Sequence, residues 1–239
     1  RRGGLVIDGA MSTPLEAAGL NLNDTLWSAK ALLECPDLVR KVHYDYYAAG
    51  ANAVEACSYQ ATEAAFARKG IEKAEASRLI RLSGELVREA KNDVLLEHPE
   101  WDPADLLTAG SIGPYGAYLA DGSEYTGAYD LTREEYYAFH QLRLDELLNS
   151  GMDILAIETQ PRFDEIEALL AMIADRDITC WVTVTLKDGD MPDGTKLEVL
   201  AKCLDADPHV EAFGFNCVKR EWVEPGLKRL SAYTDKPLV

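Results

Sequence analysis

Short apolar runs alternate along the whole chain with stretches of 3.6-residue periodicity, and that alternation limits the open folds more than any single motif does. The runs Leu5–Ala10, Ala53–Ala56, Leu106–Ile112, Ile154–Ile157, Cys180–Leu186 and Ala212–Val218 read as strands. Between them, Pro36 opens a helix that carries Leu38, Val42 and Tyr46 on one face and ends near Gly50. A second helix aligns Leu79, Leu82, Leu86 and Ala90, and a third Ile166, Leu169, Leu170 and Ile173. Strands apolar at nearly every residue are covered on both faces, which is the condition of a parallel sheet packed under helices. Pro237-Leu238-Val239 starts a seventh strand.

Two architectures satisfy this pattern, an open doubly wound sheet and a (β/α)8 barrel. The first strand is followed by Asp8-Gly9-Ala10-Met11-Ser12-Thr13 and not by the glycine fingerprint of a dinucleotide fold, which favours the barrel. The expectation is an α/β (β/α)8 TIM barrel forming one domain over residues 1–239, with six complete units and part of a seventh, so that its last strands lie beyond Val239. Asn92–Asp105 reads as an insertion before the third strand.

Composition removes several function classes. Lys and Arg number 24 against 41 Asp and Glu, and a net charge of −17 repels nucleic acid and anionic membrane surfaces. No apolar stretch approaches the roughly 18 residues that span a bilayer, and Arg1-Arg2-Gly3-Gly4 leads directly into a strand, so the expected compartment is the cytoplasm. Five scattered cysteines do not look like a disulfide framework.

The strand ends carry the chemistry. In order they are Asp8, Ser58-Tyr59-Gln60, Ser111 with the tyrosine-rich run Gly113 to Tyr125, Glu158-Thr159, Thr185, and Asn216-Cys217. In a barrel such residues converge on one mouth. Acids after apolar strands are costly to bury without a partner or ligand, and two of them suit an ammonium group; each taken alone equally suits a helix cap or an arginine partner. The run Gly113 to Tyr125 is longer than an ordinary strand-to-helix connection of about 2–6 residues, and its glycines and tyrosines suit a small polar ligand. Thr132, with Glu135 three residues on, announces the next helix. Cys217 reads as a nucleophile, a soft metal ligand or a core thiol; Cys57 and Cys180 inside strands, and Cys203 beside Leu200 and Leu204, read as packing. His43 and His140 lie within helices, as packing or solvent-facing residues. Asp188 to Thr195 reads as a solvated turn before a helix, not a calcium loop.

Taken together, Asp8-Gly9-Ala10-Met11, Asn23-Asp24 with Leu26-Trp27-Ser28-Ala29, Ser58-Tyr59-Gln60-Ala61-Thr62, Gly113 through Tyr125, Glu158-Thr159 and Gly214-Phe215-Asn216-Cys217 resemble the homocysteine S-methyltransferase family, in its branch using S-methylmethionine or S-adenosylmethionine. The resemblance implies a barrel that moves a methyl group from either sulfonium to homocysteine, with zinc (Zn2+) held by three cysteine thiolates. It makes Cys217 the first metal ligand and gives Asp8 and Glu158 the amino group of homocysteine. Met11, Tyr59, Gln60, Tyr115 and Asn216 fall around the substrates by the same resemblance. Ser12 stands where the family usually has glycine, and the family's paired cysteines after the eighth strand are expected past Val239. A barrel that binds a sulfur amino acid without turnover is the alternative.

Overall fold

The computed structural model describes residues 4–239; Arg1, Arg2 and Gly3 lie outside the described residues. The strands are β1 (Ala53–Glu55), β2 (Leu107–Ile112), β3 (Ile154–Gln160), β4 (Cys180–Val184) and β5 (Val210–Phe215). The principal helices are α1 (Pro36–Ala48), α2 (Lys73–Glu97), α3 (Tyr115–Leu119), α4 (Ser123–Thr126), α5 (Arg133–Asn149), α6 (Phe163–Ile173), α7 (Leu197–Ala206) and α8 (Arg220–Leu230). The chain forms two compact units, Arg1–Ser111 with Gln141–Ile154, and Ile112–His140 with Leu155–Val239.

In the first unit β1 and β2 pair in parallel, Ala53 opposite Leu107. Helix α1 packs on α2. Val39, Val42 and Tyr47 on α1 and Leu79, Ile80, Leu86 and Val87 on α2 are buried. Burial of an apolar side chain of this size is worth about 1.5–3 kcal/mol. Polar groups tie the strands from inside: Tyr47 donates its hydroxyl to the Leu107 carbonyl at 2.8 Å and Ser58 to the Ser111 carbonyl at 2.7 Å. Gly84 on α2 is required by close approach, since a Cβ there would lie 2.0 Å from Ser150 Oγ.

In the second unit β3, β4 and β5 pair in parallel, with Ala156 opposite Trp181 and Trp181 opposite Ala212. Every residue of β4 is buried, as its continuous apolar character requires. Ile166, Leu169, Leu170 and Ile173 on α6 are buried together, as are Leu200 and Leu204 on α7. Leu238 forms a parallel bridge with Phe213, the start of strand pairing expected at Pro237.

Several expectations need correction. Leu5–Ala10 is not a strand: it makes one bridge, Ile7 to Ala53, because the Glu55 N–H donates to the Asp8 carboxylate at 3.1 Å instead of extending the ladder to a backbone carbonyl. Asn92–Asp105 is not an insertion, since α2 continues unbroken to Glu97 with Val94 buried. Cys57 lies just past β1, buried, with its thiol donating to the Ser28 carbonyl at 3.3 Å. The tyrosine-rich run is not a simple loop but folds into α3 and α4, separated by Ala120 and Gly122 in left-handed conformations.

Candidate functional site

The carboxyl ends of β3, β4 and β5 lie side by side, Gln160 opposite Val184 and Val184 opposite Phe215. The β3–β4 register breaks between Ile157 and Gln160, so an irregularity falls at Glu158 and Thr159. Such irregularities re-aim side chains at strand ends. Thr159 sits at φ 57° and Cys217, two residues past β5, at φ 52°. Left-handed conformations in residues other than glycine cost of order 1–3 kcal/mol and persist where surrounding contacts impose them.

Asn216 supplies those contacts. Its Oδ1 accepts the Thr159 N–H at 2.8 Å, and its Nδ2 donates to Thr159 Oγ1 at 2.8 Å and to Glu158 Oε2 at 3.1 Å. One carboxamide therefore joins the ends of β3 and β5 and fixes the Glu158 carboxylate. Thr185, after β4, reaches towards the Cys217 carbonyl at 3.5 Å, the outer limit of a hydrogen bond.

Cys217 is exposed as a residue, yet crowding around its sulfur makes desolvation the main cause holding the thiol above its ordinary range. The Glu158 and Glu124 charges push the same way, and a hydrogen bond with the Thr159 side chain opposes them. The Glu124 carboxyl is itself raised, chiefly by burial, and its Oε2 is buried without a hydrogen-bond partner. Tyr125 is raised by burial first, then by the neighbouring Cys217 and Glu124.

Beneath the run from Gly113 lies a group that sequence reasoning missed. Glu165, in the first turn of α6, is fully buried. Its carboxylate accepts from the Tyr115 N–H at 2.7 Å and from the Tyr129 hydroxyl at 2.6 Å, and pairs with His140 Nε2 at 2.8 Å. Tyr115 packs against Phe139 with ring centroids 4.9 Å apart and against Tyr118 and Tyr129 at 5.4 and 5.5 Å.

In the first unit, Asp8 is held by its own N–H donating to the Ala53 carbonyl at 2.9 Å and by the Glu55 N–H on its carboxylate. Met11 immediately precedes the short helix Ser12–Ala17, with no side-chain capping hydrogen bond. Tyr59 stands edge-on to Trp27 with centroids 6.1 Å apart, and its carbonyl accepts from Arg143 at 2.6 Å. Gln60 is buried. The structure thus brings Glu158, Asn216 and Cys217 into one cluster; it places Tyr115 on the neighbouring aromatic group, and Asp8, Met11, Tyr59 and Gln60 in the other unit.

Comparison with known proteins agrees over the whole length described. The sequence model of one family, described as homocysteine S-methyltransferase, matches residues 5–239. The homocysteine S-methyltransferase of Escherichia coli K12 is 48% identical over 237 residues, covering 98% of this chain and 76% of that protein. Homocysteine S-methyltransferase YbgG of Bacillus subtilis 168 is 42% identical over 238 residues, covering 98% and 76%. Among solved structures, the metallated form of the Escherichia coli homocysteine methyltransferase MmuM superposes with a TM-score of 0.94 at 47% identity, covering 100% of this chain and 83% of that one.

Proposed function

This chain belongs to the homocysteine S-methyltransferase family, and we propose that it moves a methyl group from the sulfonium of S-methylmethionine or S-adenosylmethionine to the thiol of homocysteine, giving methionine. The observation that carries the reading is the joining of Glu158, Asn216 and Cys217 at two strand ends, in a chain the family matches from residue 5 to residue 239. The acceptor sulfur loses its proton to solvent and attacks the methyl carbon. The carbon–sulfur bond of the sulfonium breaks, and its electron pair stays on the donor sulfur as a neutral thioether.

In this reading Glu158 accepts the ammonium group of homocysteine, and Asn216 keeps that carboxylate aimed. The family resemblance gives Asp8 the same ammonium and puts Met11, Tyr59, Gln60 and Tyr115 near the substrates. The net charge of −17 favours the approach of a cationic donor.

Zinc is part of the reading. A thiol such as Cys217 suits a soft cation, and a solved relative is described as metallated. The residues in hand do not complete such a centre: among the described residues no three His, Cys, Asp or Glu side chains gather as a metal site, and the surroundings of Cys217 favour its protonated thiol. In this reading Cys217 is one ligand of the ion. The reading also takes in a (β/α)8 barrel, supported by the succession of parallel strands and helices and by the TM-score of 0.94. The cytoplasm is its compartment, supported by five free cysteines; no helix among the described residues is long and apolar enough to cross a membrane.

The test is methionine formation by the full-length, metal-loaded protein from homocysteine with each sulfonium in turn. Methionine from at least one donor is expected. No methionine from either, with homocysteine still bound, replaces the reading with a silent binder.

A further inference from the structure

Glu165 takes no part in the chemistry proposed above, yet it is one of the most heavily engaged side chains in its unit. We propose that Glu165 is a positioning residue for the methyl transfer: from a fully buried place it fixes the segment 113–129, whose Tyr115 the family resemblance puts beside the substrates. The inference rests on the methyltransferase reading and deepens it.

Both side chains of the Glu165–His140 pair are wholly out of solvent. A buried carboxylate is costly unless donors surround it. Here three are provided: the Tyr115 N–H, the Tyr129 hydroxyl and His140 Nε2. An ionised carboxylate offers only lone pairs, so the imidazole carries its proton on Nε2. Burial and the adjacent Glu165 charge hold the Tyr129 phenol in its protonated, donating form.

These donors come from the two ends of one segment. Tyr115 is the first residue of α3, whose N-cap, Pro114, offers no side-chain cap, so Glu165 satisfies the first free N–H of that helix from outside. Tyr129 lies past the end of α4. The residues just before Glu165 hold the same end, with Arg162 donating to the Tyr129 carbonyl at 2.6 Å while paired with Asp164 at 2.6 Å. Between the ends there is no slack: a Cβ on Gly116 would lie 2.6 Å from the Glu124 nitrogen and 2.8 Å from the Tyr129 ring. A displacement of Tyr115 or Tyr129 therefore passes directly to Glu124. Arg162, Asp164 and Glu165 also follow Glu158 and Thr159 within a few residues on the chain, so one short tract sets both the substrate-binding acid and the segment.

Full-length wild type, Glu165→Gln and Tyr129→Phe are compared for methionine formation at varied donor concentration, with hydrogen exchange read peptide by peptide. Glu165→Gln sets an amide NH2 against one of the three donors, whereas Tyr129→Phe removes a single hydrogen bond and keeps the ring. The donor KM is expected to rise about tenfold or more in the first and about threefold in the second, with kcat changed less, because positioning is lost and not the reacting groups. Faster exchange is expected within 113–129 and nowhere else. Wild-type KM and exchange in both variants overturn the proposal, as does a uniform rise in exchange in Tyr129→Phe. If Glu165→Gln fails to fold, Tyr129→Phe decides on the same readouts. Wild type without methionine formation defeats the methyltransferase reading instead, and the exchange pattern alone then decides whether Glu165 holds the segment.

Discussion

Asn216 donates from Nδ2 to Glu158 Oε2 at 3.1 Å, and through this bond the residue before the Cys217 thiol governs where the acid at the end of β3 points. Each polar atom of the carboxamide is engaged within the protein, with Oδ1 on the Thr159 N–H and Nδ2 shared between Thr159 and Glu158. Asn216 therefore acts on the substrate through Glu158. Asn216→Ala leaves the N–H of buried Thr159 without its acceptor and is expected to cost about 1–3 kcal/mol in denaturant unfolding. Its KM for homocysteine should rise about tenfold or more, as when an orienting partner is removed. Asn216→Asp keeps the shape but sets two carboxylates together, and its KM should rise at least as far.

Gly116 is a second point of leverage. A methyl group there meets backbone at 2.6 Å on both Ser123 and Glu124, which no rotamer change relieves. Gly116→Ala is expected to lower the melting temperature and to lose activity out of proportion to that loss, by about tenfold in kcat/KM once assayed well below its own midpoint. Activity equal to wild type would show that α3 and α4 separate freely.

His43 sets an acid limit on stability. The ring is fully buried and neither nitrogen has a hydrogen-bond partner. Burial depresses its pKa from 6.5 to about 3, so the folded protein resists a proton that the unfolded chain accepts. Its contribution is whole above pH 6.5 and falls away between 6.5 and about 3, by about 1.4 kcal/mol per pH unit. Urea midpoints at pH 7, 6 and 5 should drop in wild type and drop less in His43→Leu.

Asp190 works at a lower pH. Burial alone would raise its pKa, but hydrogen bonds from Lys196 and Arg229 and from the Leu197 N–H outweigh it and hold the carboxyl at about 2. A lowered pKa contributes stability that is full above the unfolded value of 3.8 and is lost as pH falls to about 2. Asp190→Asn should therefore destabilise the protein by on the order of 1–2 kcal/mol at pH 7 and by almost nothing at pH 2. An equal difference at both pH values would contradict the assignment.

Features that depend on neighbours in sequence were legible before the structure. Thr132 and Glu135 exchange hydrogen bonds at 2.7 and 3.3 Å, as their spacing implies, and the apolar runs from Ala53 onward became strands with ends shifted by a few residues. What escaped was decided by distant partners. Glu165 gathers donors 25, 36 and 50 residues away, and nothing in the local pattern of α6 separates it from an exposed first-turn acid. The pattern of α5 likewise gives no sign that His140 pairs with an acid 25 residues away. The run at Leu5 has the composition of a strand and lost its ladder to one side chain, Asp8. Cys217, Glu158 and Asn216 stand out in the sequence; that the Asn216 carboxamide binds the Glu158 carboxylate is set by the fold and has no local signal.

Cys217→Ser in the full-length protein tests most directly the proposal that Cys217 belongs to the methyl-transfer site. Bound metal and methionine formation are measured on the same preparation. With Cys217 as one ligand of the proposed zinc, the expected result is that bound zinc is lost or much weakened and that turnover falls at least about a hundredfold while the fold is kept. Wild-type zinc content together with wild-type turnover would contradict it.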